Sequence, residues 1–180
     1  MRLQISVTMA ACVMVSLLAL GPAIGQSMGE KTGVNSALGI APTTQDFVTE
    51  AASGDMFEIQ SSQLTQQKSD NPQVKQFAQQ MVNDHTKTSS DLKGLAQTAN
   101  MTIPSKMASS QQDMLDKLQG LNGQDFTKQY VRDQVSAHEN AVSLFKRYGQ
   151  GGDNEPIKSW ATKTLPALQH HLDMAEDLNK

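Results

Sequence analysis

The apolar residues of this chain recur at intervals of three and four residues over long stretches, and this spacing constrains the fold more than any other feature. Val74, Phe77, Met81, Leu92 and Leu95 follow it within one stretch. The spacing places apolar side chains on one face of an α-helix, whereas a half-buried strand requires strict alternation of apolar and polar residues. No stretch of the sequence alternates in that way, so we predict an all-α protein.

Capping and helix-breaking residues divide the chain into helical segments. We predict helices over residues 44–68, 72–99, 109–119, 125–148 and 156–178. Pro72 suits a first helical position, the glycine-rich residues 149–152 are predicted to end the fourth segment, and Pro166 is predicted to kink the last or leave a carbonyl free. Four long helices and one short crossover helix predict an antiparallel four-helix bundle over residues 43–180.

The first 25 residues have the pattern of a secretory signal peptide. Arg2 precedes the apolar residues 5–20, and the small residues Ala23 and Gly25, at positions −3 and −1, favour cleavage before Gln26. The alternatives are an uncleaved membrane anchor, for which the apolar run is short, and a lipoprotein modified at Cys12. Cleavage predicts a protein exported to the periplasm or cell envelope, with no stable membrane span after processing.

Residues 26–42 are rich in Gly, Ser, Thr and Asn and lack helical spacing, so we predict a flexible leader before the bundle. Cys12 is the single cysteine of the chain and lies in the predicted signal peptide, which excludes a disulfide framework and cysteine-rich metal sites. The net charge of −3 argues against nucleic-acid binding, because phosphate recognition requires a basic face.

Three of the four histidines lie on the apolar faces of three different predicted helices. His85, His138 and His171 are each spaced by three or four residues from apolar neighbours, whereas His170 points about 100° away from its neighbour. The first long helix has no histidine but offers Glu58, between two apolar residues. Buried imidazole and carboxylate groups need partners, since each costs a few kcal/mol when unpaired.

These four residues allow two interpretations. In the first, His85, His138, His171 and Glu58 bind a single transition-metal ion, for which Zn, Cu and Fe are suitable. In the second, the histidines are structural and form hydrogen bonds to carboxylates such as Asp84, Asp133 or Glu139. A carboxylate-bridged dimetal site needs a Glu three residues before a His on two helices, and no histidine here has one.

Four segments resemble a bacterial envelope family, domain of unknown function 4142. The segments are DFVTEAASGDMFE (46–58), NPQVKQFAQQMVNDH (71–85), QVSAHENAVSLF (134–145) and TLPALQHHL (164–172). The resemblance covers residues 46–178 and implies a ferritin-like helical bundle in an exported protein. The resemblance implies that His85, His138 and His171 correspond to the family's usual histidines, and that Glu58 lies at the family's Met-x-Glu position. It implies little about activity.

The sequence contains no Gly-rich phosphate loop, no His-Glu-x-x-His and no Gly-x-Ser-x-Gly. We therefore expect an exported, non-enzymatic helical bundle that acts as a periplasmic binding or stress-protective module, with a His-rich metal site as its candidate centre. The alternative hypothesis is a metal-dependent oxidoreductase that uses a His₃-Glu site. Neither hypothesis identifies a protein partner.

Overall fold

The computed structural model describes residues 27–31 and 33–180, and throughout these ranges the regular structure is helical. The prediction of a signal peptide concerns residues outside them. The helices are α1 (Met28–Lys31), α2 (Val34–Ala37), α3 (Thr44–Lys68), α4 (Pro72–Thr98), α5 (Ser109–Gly120), α6 (Gly123–Gly151) and α7 (Glu155–Leu178). The prediction of an all-α fold is confirmed.

Side-chain caps set the start of three long helices. The side chain of Thr43 accepts a hydrogen bond from the backbone N–H of Asp46 at the start of α3. Asn71 caps α4 and Asn154 caps α7 in the same way, and both helices have a proline in the first turn. Each cap satisfies backbone donors that have no partner inside the helix, so the chain enters each helix at a defined residue.

The long helices α3, α4, α6 and α7 form the bundle, and their buried apolar residues fall into two clusters. The Phe47 cluster contains Phe47, Val48, Ala51, Ala52, Leu92, Ala96, Leu144, Phe145, Tyr148, Ile157, Ala161 and Leu168. The Phe57 cluster contains Phe57, Val74, Phe77, Ala78, Met81, Leu115, Leu118, Phe126, Tyr130, Val131 and Ala175. Because α3 and α7 run from the first cluster to the second while α4 and α6 run the opposite way, helices of opposite direction pack together.

This order requires one long connection. Helices α4 and α6 both end near the Phe47 cluster, so the chain must return along the bundle between them. Residues 99–122 make this return, and α5 within them packs against α3 and α6. A four-helix bundle with a single long crossover has the topology of ferritin-like folds, as predicted.

Helix α6 extends three residues beyond the predicted end at Tyr148. It ends at Gly151 with Gly152 as its C-cap, within the glycine-rich residues 149–152 that were predicted to end it. Gly149 also allows close packing, because a Cβ there would lie 2.9 Å from the Thr162 side-chain oxygen on α7. Helix α7 also continues through Pro166 without interruption. Tertiary packing along α7 therefore overrides the local tendency of a proline to break a helix.

The predicted leader contains α1 and α2, and it contacts the bundle at a few points. The Arg147 guanidinium binds both carboxylate oxygens of Glu30, at 3.0 and 3.2 Å, and donates to the Ile40 carbonyl at 2.7 Å. The Ser27 backbone N–H donates to Asp46 at 2.8 Å. Flexibility of the leader remains a prediction. None of the described helices is both long enough and apolar enough to span a membrane.

Limited proteolysis tests how firmly the leader is held. We expect proteinase K to cut residues 33–42 before any site in the bundle, because short helices with few buried apolar contacts open at low free-energy cost. The Arg147→Lys variant should be cut there several-fold faster, since an ammonium cannot replace the two-pronged contact with Glu30. Mass spectrometry of the fragments identifies the cleavage order. First cleavage within α3–α7 of the wild type would contradict the prediction.

Candidate metal centre

A polar layer separates the two apolar clusters, and three imidazoles lie at its centre. His85 on α4, His138 on α6 and His171 on α7 are 4%, 1% and 3% exposed. Their ring centroids are 5.4 to 5.6 Å apart. The structure therefore brings together three of the four predicted ligand residues, at one depth of the bundle. His170 is exposed, as expected from its position on the helix.

Each of the three rings is held through one nitrogen. Nδ1 of His138 donates to the backbone carbonyl of Gln134, one turn earlier on α6, at 2.9 Å. Nδ1 of His85 lies 2.8 Å from Asp55 on α3, and Nε2 of His171 lies 3.0 Å from Asp84 on α4. A ring nitrogen that donates to a carbonyl or carboxylate carries the hydrogen, so the other nitrogen of a neutral imidazole has a free lone pair.

The remaining ring nitrogens are buried and accept no hydrogen bond from the described part of the chain. They are Nε2 of His85, Nε2 of His138 and Nδ1 of His171. One nitrogen from each ring can be chosen so that all lie within 4.8 Å of one another. Ligand atoms in a tetrahedral site lie 2.0–2.1 Å from the metal and therefore about 3.3 Å from one another. Ring rotations that move each nitrogen by about 1 Å would complete such a site. The donor set therefore fits a transition-metal ion.

Burial keeps two of the rings neutral. It lowers the pKa of His138 to about 3 and that of His171 to about 4, and in both cases the charge of His85 lowers the pKa further. Burial also acts to lower the pKa of His85, but the hydrogen bond with Asp55 and the nearby charge of Glu58 outweigh it, and the pKa is raised. Neutral imidazole is the form that binds metal ions.

Glu58, the fourth predicted ligand residue, is buried beside the cluster rather than within its ligand atoms. Its Oε1 lies 3.9 Å from Nδ1 of His138, the nitrogen that already donates to Gln134. Its other oxygen, Oε2, is buried without a hydrogen bond from the described residues. Burial raises the pKa of Glu58 to about 7. The three histidines therefore form the cluster without Glu58. A ligand role for Glu58 would require a change of its side-chain rotamer.

Sequence analysis missed the contribution of Asp55. This carboxylate is buried on α3, where it accepts hydrogen bonds from His85 and from Thr88 one turn later on α4. A carboxylate behind a metal-binding histidine fixes the ring orientation and increases the basicity of the free nitrogen. Asp55 lies three residues before Glu58, and positions i and i+3 share a helix face. This spacing is the signal that could have placed Asp55 beside the histidines.

A family model matches residues 29–178 of the chain, and its description is Domain of unknown function (DUF4142). The chain belongs to the DUF4142 family. This match confirms the family identified from the four segments and extends across most of the described residues, including part of the predicted leader. No curated protein matches this DUF4142 chain at a significant level.

One solved structure that resembles this DUF4142 protein is that of CopM in the Cu(II)-bound form. The two chains share 16% sequence identity at a TM-score of 0.66, and the match covers 78% of this chain and 97% of CopM. At this identity the likeness establishes a shared fold. It supports the helical bundle assigned above.

Titration of the rings by NMR tests the electrostatics of the cluster. In the metal-free protein, His138 and His171 should remain unprotonated from pH 7 to pH 5, because burial and the charge of His85 lower their pKa values to about 3 and 4. The ring C–H and N resonances report protonation directly. A midpoint close to the reference value of about 6.5 for either ring would contradict this electrostatic account.

The buried carboxyl group of Glu58 should make the metal-free protein less stable as the pH rises. Because its folded pKa is raised to about 7, the folded protein retains a proton there that the unfolded chain has lost, and stability from this group decreases as pH rises from about 4.5 to 7. In metal-free protein, Glu58→Gln should therefore make the free energy of unfolding increase more with pH, by up to about 1.4 kcal/mol per pH unit. Urea unfolding at several pH values measures this, and equal slopes would contradict it.

Proposed function

We propose that this protein is an exported, non-enzymatic helical bundle that binds one divalent transition-metal ion, preferentially Cu(II), through His85, His138 and His171. The observation that carries the proposal is the set of three buried ring nitrogens that have no hydrogen-bond partner among the described residues, one from each of three helices whose histidines cluster. A structural histidine uses its ring nitrogens to satisfy neighbouring groups. Here each ring uses one nitrogen for that purpose, while its other nitrogen is buried without a partner among the described residues.

The surrounding charges support a divalent ion. Asp55 and Asp84 each bind the outer nitrogen of one ring, so two carboxylates stand behind the three imidazoles. An ion of charge +2 would be balanced by these two groups without placing a negative ligand at the metal. Outer carboxylates of this kind typically contribute 10- to 100-fold in metal affinity.

Cu(II) is favoured over the other ions that accept imidazole. At a given set of nitrogen ligands, Cu(II) binds more tightly than Fe(II), Ni(II) or Zn(II). The CopM structure, which shares this fold, contains Cu(II). Zn(II) and Fe(II) remain the competing ions for the same ligands, and metal analysis of protein purified without added metal distinguishes them.

The geometry favours binding over the alternative of a His₃-Glu oxidoreductase. That activity was predicted with Glu58 as a ligand, and the nearest Glu58 oxygen faces the nitrogen of His138 that is already engaged with Gln134. Export, with the periplasm as its destination, is part of this proposal and rests on the signal-peptide pattern of residues 1–25. An N-terminus at or near Gln26 in protein recovered from a Gram-negative periplasm would test it.

Thermal unfolding with and without a chelator tests the metal site. Cu(II) should raise the melting temperature of the wild type, because the unfolded chain cannot present three converging imidazoles; at a free-ion concentration of about 100 Kd the gain is about 2.7 kcal/mol. EDTA should reverse this gain. His85→Ala, His138→Ala and His171→Ala should each lose the response.

The His170→Ala variant is the matched control, because this histidine neighbours His171 in sequence but is exposed on the outer face of α7. It should respond to Cu(II) and to EDTA as the wild type does. A wild type that binds no stoichiometric metal, or a Cu(II) response that survives the three substitutions, would overturn the proposal.

A further inference from the structure

A cavity of about 430 Å³ lies against α3, α5 and α6 and reaches the histidine cluster from one side. Its inner lining includes His85 and His138, whereas His171 lies outside that lining, on the far side of the cluster. At its outer side the cavity is lined by Ser136 and Asn140 of α6, both of which are exposed. The cavity thus connects the protein surface with the buried imidazoles.

The α3 wall of this cavity carries Glu50, Gly54 and Glu58. Residues spaced by four lie on the same helix face, so the glycine sits between two carboxylates, one turn away on each side. One oxygen of each carboxylate, Oε1 of Glu50 and Oε2 of Glu58, is buried and receives no hydrogen bond from the described residues. A passing cation would find unpaired carboxyl oxygens along this wall, and its own charge would favour their ionised form.

The charges in the rest of the lining agree with a path for cations. Arg147 is the one basic side chain among the described lining residues other than histidine, and it is bound to both oxygens of Glu30. Ser53, Gln111 and Asn140 add uncharged polar groups. The balance of the lining is therefore acidic, with its single arginine already neutralised by a partner.

Gly54 has no evident structural reason to be a glycine. It lies in the interior of α3, where glycine costs about 1 kcal/mol relative to alanine. It is absent from the described residues with positive φ, and a Cβ built there would meet only Gln111 Nε2, at 3.9 Å. Neither backbone conformation nor close packing requires glycine at this position. A side chain at this position would instead occupy cavity space beside the two carboxyl groups.

We propose that this cavity is the passage by which a metal ion reaches the histidine cluster, and that Gly54 keeps the passage open. The inference rests on the proposed metal-binding function and adds the route to it. Helix packing at native density leaves few gaps in a bundle core that are larger than a water molecule, so a cavity that reaches the cluster is the expected route for an ion. A side chain longer than alanine at residue 54 would extend into the passage between Glu50 and Glu58.

The test compares the rate of metal loading in Gly54→Leu with that in the wild type. Copper(II) buffered with glycine is mixed with metal-free protein, and quenching of intrinsic fluorescence is followed by stopped flow. The phase missing from a variant lacking all three cluster histidines is the one analysed. Gly54→Leu should load about tenfold or more slowly, because the leucine side chain fills space that the ion must cross.

Release to excess EDTA should slow by the same factor, since an obstacle in a passage acts in both directions. The equilibrium affinity should then stay within about threefold of the wild type, because the ligands are unchanged. This combination separates an obstructed path from a damaged site. A damaged site would lower the affinity and accelerate release.

Gly94→Leu is the matched control. Gly94 is also a helix-interior glycine, but it is exposed on α4 and a Cβ there would meet nothing within 4 Å. This variant should load and release Cu(II) at wild-type rates. Asn140→Trp, which adds bulk at the outer side of the cavity on an exposed position, gives a second obstruction that does not depend on how α3 tolerates leucine.

The outcomes distinguish the two proposals. A wild type that binds no Cu(II) at the cluster overturns the metal-binding function itself. Wild-type binding with unchanged loading rates in Asn140→Trp and in folded Gly54→Leu overturns the passage and places the route elsewhere, for example between α4 and α7 beside Asp84. Slow loading in both obstructed variants, with Gly94→Leu unaffected, supports it.

Discussion

The rest of the structure depends on the burial of three imidazoles at one depth of the bundle. Each ring must satisfy its N–H group inside the core, and the acceptors come from α3, α4 and α6. Displacing one helix by a single residue would move its side chain by 1.5 Å along the axis and turn it by about 100°. Such a shift would break the hydrogen bonds of the polar layer as well as the packing of the two apolar clusters. The hydrogen bonds of His85, His138 and His171 therefore specify the alignment of the helices.

Burial also rearranges charge within this layer. It lowers the pKa values of His138 and His171 and raises that of Glu58, so burial favours the uncharged form of each of these groups. Two uncharged imidazoles and an uncharged carboxylic acid require less solvation than their ions would. The same shift leaves the imidazole lone pairs free at neutral pH. A low-dielectric interior thus prepares the nitrogens of His138 and His171 as ligands without the need to remove protons from them.

The helical spacing was sufficient to predict the fold and the inward direction of the three histidines, but not all of the site. Depth along a bundle depends on where each helix begins and on how the crossover of residues 99–122 returns, which are tertiary properties. Asp84 illustrates the difficulty: it adjoins His85 in sequence but binds His171 on α7, because consecutive helix residues point about 100° apart. Gly149 illustrates a second difficulty. The approach of Thr162 on α7 leaves little room for a side chain at this position, and the sequence alone does not indicate that contact.

The unpaired nitrogens argue for a selected function rather than for stability. A buried polar atom without a partner costs about 1–3 kcal/mol, and well-packed apolar side chains at three core positions would avoid that cost. A purely structural layer could also have been completed by a single hydroxyl or amide directed at the rings. Instead the described residues supply acceptors such as Asp55 for the outer nitrogens and no donor for the inner ones. A cation bound to the three imidazoles, as we propose, would recover this stabilisation and would couple the final packing of the bundle to its ligand.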